Sequence, residues 1–119
     1  MLLTLLYTVQ YFRAKDINYQ IGKLENGTTK QKIKAIEFIA EKNAYEEIPK
    51  IMPYIDSEDS ILYYGKTSYT LTCAVTLALE TMTNKNYGNT CDSSHSKTDD
   101  QIMETKKEWK GWYSQEYLK

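Results

Sequence analysis

The stretch LTCAVTLALETM at residues 71–82 decides the fold class. Its apolar side chains recur at offsets 0, 3, 4, 7, 8 and 11, the spacing of one helix face, at Leu71, Ala74, Val75, Ala78, Leu79 and Met82. Threonines occupy many of the remaining positions, and their β-branched side chains weaken intrinsic helicity. We therefore expect a helix that is held in place by packing rather than by propensity.

Apolar spacing predicts three more helices before this stretch, with buried faces formed by Ile17, Ile21 and Leu24, then by Ile33, Ile36, Ile39 and Ala40, then by Ile48, Ile51, Met52 and Ile55. Thr28 or Thr29 offers an N-cap oxygen to the second of these helices. Pro53 is expected to bend or shorten the third. The segment ILYYGKTS at 61–68 is neither a clean helix nor a clean strand, so we expect an ordered loop. No strand alternation appears, which indicates an all-α fold.

The length and charge fit one small domain over residues 1–119 and narrow the classes of partner. Fifteen basic and sixteen acidic residues give a net charge of −1, which excludes a strongly basic nucleic-acid binder. The composition is unusual in its aromatic residues, with eleven Tyr and two Trp but only two Phe. We expect these rings to seal a thin core.

The N-terminal run MLLTLLYTV at 1–9 has two interpretations. Residues 1–16 form either a packed N-terminal helix or the remnant of a trimmed signal segment, although the basic region and small residues typical of a signal are missing. The run is too short for a transmembrane helix, so no integral membrane span is expected. The compartment stays open, either cytoplasmic or exported.

Residues 84–100 contain no aliphatic side chain and are expected to form an exposed, flexible polar loop. Cys91 lies in this loop and should be exposed, whereas Cys73 lies on an apolar helix face and should be a buried thiol. Free thiols fit a reducing compartment, and a single disulfide in an exported protein fits as well.

An internal repeat links the predicted helices. Leu24 and Ile55 each end an apolar helix, are each followed by a polar turn, and lie 31 residues apart. Helical stretches restart after both turns, at 34–40 and 73–79. Helix pairs that repeat at this interval are typical of an α-solenoid, in which each repeat buries its face against the next.

Particular residues carry a resemblance to a known family: Ala35-Ile36, Ala40, Ile48-Pro49, Pro53-Tyr54-Ile55-Asp56, Ala74, Ala78-Leu79, Met82-Thr83-Asn84-Lys85-Asn86-Tyr87-Gly88 and Trp109-Lys110-Gly111-Trp112-Tyr113. The chain resembles a short bacterial HEAT-like repeat domain, similar to those grouped with the phycobilin-lyase repeats, over roughly 17–113. Asn84 replaces the glycine usual in that family, and Asn also tolerates a left-handed helix C-cap.

The resemblance implies a short α-solenoid of about two HEAT-like helix pairs, with an N-terminal helix and a tryptophan-containing C-terminal cap. It also implies a scaffold or protein-binding role. Lyase chemistry is not implied, because no bilin-attachment motif is present. The resemblance makes Trp109, Trp112 and Tyr113 a structural cap rather than a ligand platform.

The tyrosines around 61–68 are the best candidates for contact with a partner. Tyr63, Tyr64 and Tyr69 bracket this segment, and tyrosine is enriched where one end of a ring is buried and the other is wet. The alternative is that these rings only pack the segment onto the core. We name them as the candidate partner surface.

Residues that could carry chemistry are few: Cys91, Asp92, His95, Asp99 and Asp100. A structural zinc site normally needs four Cys or His ligands, so no metal site is expected. The glycines stand singly, which excludes a glycine-rich phosphate loop, and we expect no catalytic residues and no cofactor.

Three hypotheses follow from the sequence. The first is a non-catalytic protein-binding or scaffold module whose partner is another protein. The second is an accessory factor or enzyme that acts on a small ligand through the aromatic cluster or the Cys91–His95 loop. The third is a structural subunit that stacks on itself, because two repeats are fewer than an isolated solenoid usually needs.

Overall fold

The computed structural model describes residues 16–63, 67–91 and 97–119, and these form a mostly helical fold. The helices are α1 (16–26), α2 (Thr29–Glu41), α3 (Ile48–Ile51), α4 (Leu71–Thr83) and α5 (Asp99–Trp112). Between α3 and α4 lies an antiparallel ribbon of β1 (Ser60–Tyr63) and β2 (Thr67–Thr70). The predicted dominance of helix is confirmed, and the ribbon is an addition to it. The helix expected before residue 16 lies almost wholly outside the described residues.

The start of α2 is fixed by a capping box. The Thr28 hydroxyl accepts a hydrogen bond from the Gln31 backbone N–H, and the Gln31 side chain accepts one from the Thr28 backbone N–H. These two bonds satisfy two of the backbone donors that a helix start leaves open. Of the two threonines predicted as candidates, Thr28 is therefore the N-cap.

Pro53 shortens the third helix, as expected. α3 ends at Ile51 and passes into a 3-10 turn at Met52–Tyr54, because proline has no N–H to continue the α-helical bonding. A second 3-10 turn, Tyr45–Glu47, precedes α3. All four predicted core positions of this segment are buried: Ile48, Ile51, Met52 and Ile55.

The ribbon corrects the predicted loop at 61–68. Ile61 lies opposite Tyr69 in the antiparallel register, and both pack against the core. Leu62, the next residue of β1, is 68% exposed. The alternation of inward and outward side chains is therefore present, but each strand is only four residues long. A period of two cannot be recognised in sequence over so short a run.

α4 is the centre of the core and packs mainly against α2. Thr70 caps its start by accepting a hydrogen bond from the Cys73 N–H, at 3.1 Å. Asn84 ends it in the left-handed conformation, with φ of 58°, as expected for asparagine in place of glycine. The predicted apolar face is buried, and so are Thr72 and Thr76 on other sides of the helix.

One hydrophobic cluster joins the helices from α1 to α5. Its largest fully buried side chains include Trp109, Leu24, Ile33, Ile36, Ile39, Ile48, Ile51, Leu71 and Leu79. The described part of the chain contains no helix with the length and apolar character needed to cross a membrane.

Candidate functional site

α5 carries the aromatic residues of the C-terminal region. It begins at a capping box formed by Thr98 and Gln101, with Asp99 and Asp100 in its first turn, where carboxylates are favourable to the helix dipole. It continues past Trp112 as a π-helical turn, Tyr113–Tyr117. The cap fixes where the helix begins and therefore which of its residues reach the core.

Trp109 anchors α5 to the segment that follows α4. Its side chain is fully buried, and its indole Nε1–H donates a 2.8 Å hydrogen bond to the Gly88 carbonyl. Its ring meets Tyr87 edge-on at 4.9 Å between centroids and Trp112 at 5.7 Å. Gly88 has φ of +90°, a backbone conformation that residues other than glycine rarely adopt. The anchor therefore depends on glycine at this position.

Three tyrosines lie beside this anchor and form what we call the C-terminal aromatic surface: Tyr45, Tyr113 and Tyr117. Tyr117 is stacked on Tyr113 at 5.3 Å and lies tilted against Tyr45 at 5.1 Å. Its hydroxyl donates a 2.9 Å hydrogen bond to the Tyr45 carbonyl, which ties the C-terminal turn to the turn before α3. Tyr45 is 43% exposed, so the surface is open to solvent.

Trp112 forms the base of this surface. It is buried, and its ring contacts Tyr117 at 5.8 Å and Tyr45 at 6.5 Å. The exposed rings therefore rest on a side chain that belongs to the core. Aromatic pairs in such edge-on and offset arrangements contribute about 0.5–1.5 kcal/mol beyond simple burial.

Two carboxylates adjoin the C-terminal aromatic surface, because Glu46 and Glu47 follow Tyr45 directly in the turn before α3. Partial burial raises the pKa of Tyr117 above its ordinary value, and repulsion from ionised Tyr45 and Tyr113 and from the Glu46 and Glu47 carboxylates raises it further. Glu46 and Glu47 form no ion pair with any lysine in the described part of the chain. A cation docked beside Glu46 and Glu47 would gain the attraction of these two carboxylates.

A disulfide between Cys73 and Cys91 joins α4 to the segment that follows it in the chain. Cys73 is buried, as expected, and of the two alternatives, free thiols or a single disulfide, the structure has the disulfide. Cys91 is partly buried rather than exposed. Their Cα atoms are 4.6 Å apart, within the range that a disulfide spans. Separation by 18 residues gave no sign of this proximity, because it arises only when the chain turns back along α4.

Three buried threonine hydroxyls reinforce the same junction. The Thr90 backbone N–H donates to the Thr76 hydroxyl at 3.0 Å, and the Thr72 and Thr90 hydroxyls lie 3.1 Å apart. Thr90 is only 5% exposed. The expectation of an exposed loop over 84–100 is therefore wrong for residues 87–91, which are partly or fully buried, but 84–86 are exposed as expected. Residues 99 and 100 are also exposed, although they belong to α5 rather than to a loop.

The predicted partner surface is described only in part. Tyr69 is partly buried and packs against the core. Tyr64 and the side chain of Tyr63 lie outside the described residues. The prediction that these three tyrosines contact a partner stays a prediction.

The residues that the sequence offered for chemistry, Cys91, Asp92, His95, Asp99 and Asp100, are described only in part. The Cys91 sulfur is bonded to Cys73 and so is neither a thiolate nucleophile nor a thiolate ligand in this state. Asp92 and His95 lie outside the described residues. Across 16–63, 67–91 and 97–119, no group of three or more His, Cys, Asp or Glu residues could hold a metal ion.

Trp109 and Trp112 share one face and are buried together. Tyr45 and Tyr117 were not identified from the sequence as members of the aromatic surface. Tyr117 follows Tyr113 by four residues, the spacing of neighbours on a helix face. That spacing could have identified it. Tyr45 could not be found in this way, because its neighbour Tyr117 is 72 residues away along the chain.

Comparison with known proteins matched this chain to no family model, to no curated protein and to no solved structure. Function is therefore inferred from the geometry of the described residues.

Proposed function

We propose that this protein is a non-catalytic protein-binding or scaffold module whose partner contacts the C-terminal aromatic surface. The observation that carries the proposal is the grouping of Tyr45, Tyr113 and Tyr117 on one solvent-accessible surface. Tyrosine offers a large contact area with few rotatable bonds, and it is enriched among the residues that dominate binding energy.

The support beneath these rings favours the same function. Trp112 is buried under Tyr45 and Tyr117, and the Tyr117 hydroxyl is hydrogen-bonded to the backbone of Tyr45. A surface that is ordered before binding loses less side-chain entropy when a partner docks. Such a surface suits recognition of a partner segment.

We also propose that the chain is a short HEAT-like solenoid and that Trp109, Trp112 and Tyr113 cap its C-terminal end. The packing of α2 against α4 and the burial of both tryptophans in the shared core support this arrangement. A terminal cap is what a short solenoid requires, since its last repeat has no neighbour to cover it.

A displayed library of random peptides tests the binding function. The wild-type protein should enrich peptides whose binding is lost in the variant Tyr45→Ala/Tyr117→Ala. Tyr19→Ala is the matched control, because Tyr19 is also an exposed tyrosine, at 60% exposure. Circular dichroism should confirm that both variants remain folded.

The proposal fails if the wild type enriches no peptide, or if the enriched peptides bind Tyr45→Ala/Tyr117→Ala as tightly as wild type. If Tyr19→Ala loses binding and Tyr45→Ala/Tyr117→Ala retains it, the binding surface lies on α1 instead.

Self-association is a second candidate function, which Leu62 specifically favours. This residue is 68% exposed on a strand that, within the described residues, pairs on one edge only. An unpaired strand edge with an apolar side chain is prone to pair with another chain. Light scattering should then show a concentration-dependent dimer that Leu62→Lys abolishes, whereas a wild-type monomer at every concentration would exclude this candidate.

A further inference from the structure

We propose that the C-terminal aromatic surface receives a lysine- or arginine-bearing segment of a protein partner, held by its cationic side chain. This inference rests on the protein-binding role proposed above and specifies the chemistry of the partner. It follows from two properties of the surface within the described residues: its aromatic rings contact one another but hold no lysine, and the neighbouring Glu46 and Glu47 carboxylates form no ion pair.

Other aromatic rings of this chain already hold a cation from the chain itself. The Lys32 ammonium lies 4.8 Å from the centre of the Tyr54 ring, and Lys42 lies 5.5 Å from Phe38. Lys23 lies 5.4 Å from the ring of Tyr19. These pairs have the geometry of cation–π contacts, in which the negative face of the ring attracts the charge.

The C-terminal aromatic surface differs from these rings. Within the described part of the chain, no lysine ammonium lies over Tyr45, Tyr113 or Tyr117. The surface therefore has the ring chemistry that binds cations, and no lysine among residues 16–63, 67–91 and 97–119 occupies it. A side chain from another protein can supply it.

Carboxylates beside the rings favour a positive partner over a negative one. Glu46 and Glu47 follow Tyr45 directly in the 3-10 turn, and both act on Tyr117. Lys85 forms an ion pair in this region with Glu116, at 3.3 Å. Glu46 and Glu47 form no ion pair within the described residues. An arginine or lysine on the rings would gain their attraction as well.

Binding of defined peptides tests this inference. The probes are two acetylated and amidated peptides of equal length in a Gly-Ser background, one carrying arginines and the other glutamates at the same positions. Amide chemical shifts of the protein should change on titration with the arginine peptide and saturate. The affected residues should cluster around 45–47 and 113–117.

Salt should weaken the complex. The dissociation constant should rise several-fold between about 50 mM and about 300 mM NaCl, because exposed charges are screened over this range. The glutamate peptide should cause no saturable change.

Variants separate the contributions of ring and charge. Glu46→Gln/Glu47→Gln leaves the tyrosines in place and should raise the dissociation constant of the arginine peptide about threefold or more. Tyr45→Ala removes the most exposed ring and should raise it by a similar factor, on the order of three- to tenfold. Tyr19→Ala, the matched control, should bind as wild type. Glutamine has the shape of glutamate without its charge, so Glu46→Gln/Glu47→Gln should fold as wild type. This variant therefore tests the inference even if Tyr45→Ala does not fold.

The outcomes distinguish this inference from the binding function on which it depends. Equal binding of both peptides, no binding of the arginine peptide, or unchanged binding by Glu46→Gln/Glu47→Gln would overturn the inference. If peptides selected from the random library still require Tyr45 and Tyr117, the binding function stands without the cationic partner. If no selected peptide requires them either, both proposals fail.

Discussion

Two parts of the core are held together by different contacts. The first part is built by α2 and α3, and the second by residues 84–91 with α5. The first part buries isoleucines from regular helical turns. The second has no aliphatic side chain in 84–91; besides the buried rings of Trp109 and Trp112, it relies on a disulfide, a buried threonine network and an indole hydrogen bond. Burial of apolar surface is non-directional, whereas hydrogen bonds and disulfides require defined positions.

This difference bears on the C-terminal aromatic surface. The C-terminal aromatic surface rests on Trp112, whose ring packs against Trp109 in the second part of the core. Damage to that part should therefore reach the surface, whereas moderate damage among the isoleucines should lower stability and leave its geometry intact. The predictions below test this contrast, beginning with the largest effect.

Trp109→Ala should cause the largest loss, about 3–5 kcal/mol of unfolding free energy, because it removes a fully buried ring and leaves a cavity. It also leaves the Gly88 carbonyl without the indole donor. Urea unfolding measures the loss. Ile36→Ala in α2 is the comparison, at about 2–5 kcal/mol.

The contrast between the two parts requires a second readout. Tyr117 resonances should shift in Trp109→Ala and remain in place in Ile36→Ala. Shifts of equal size in both variants would break the proposed division of the core.

Loss of the disulfide should lower stability by about 2–4 kcal/mol, because the bond closes a loop of intermediate length in the unfolded chain. A reducing agent should lower the urea midpoint of the wild-type protein. The variant Cys73→Ala/Cys91→Ala should start with a lowered midpoint that reductant does not change. A wild-type midpoint that is the same with and without reductant would contradict the cross-link.

Thr76→Val should lower stability by about 1–3 kcal/mol, although valine has nearly the same shape. The substitution removes the hydroxyl that accepts from the Thr90 N–H and that donates to the Thr72 carbonyl. A buried N–H without a partner accounts for most of the loss. The measurement is again urea unfolding.

Thr81→Val is the matched control for Thr76→Val. Thr81 lies in the same helix and its hydroxyl also donates to the carbonyl four residues earlier, but it is exposed. It should change stability by no more than about 0.5 kcal/mol. Equal effects of the two substitutions would show that burial of the threonine network contributes nothing.

Two glycine substitutions should have small effects of opposite sign. Gly88→Ala should destabilise by about 1 kcal/mol or more, because alanine strains at φ of +90°. Gly111→Ala should stabilise by about 0.5–1 kcal/mol, since Gly111 lies within α5 and an added methyl group there meets open space. Thermal melting curves compare the two, and a stabilising Gly88→Ala would remove the conformational requirement from the Trp109 anchor.

The sequence by itself determined the helical class and much of the core. The apolar spacing in α4, the threonine cap of α2, the interruption at Pro53 and the left-handed turn at Asn84 all follow from local rules. They involve residues within about one or two helical turns, over which backbone geometry fixes which side chains share a face. The four-residue strands of the ribbon are too short for such a rule to identify.

Only the tertiary structure decided the C-terminal aromatic surface and its support. Tyr45 meets Tyr117 across 72 residues, Cys73 meets Cys91 across 18, and the Trp109 indole reaches Gly88 across 21. No local periodicity encodes these meetings, because they depend on how helices pack and where the chain turns back. The polar composition of 84–91 indicated exposure, and it was overridden because a disulfide and buried hydrogen bonds can order a segment that has little apolar surface to bury.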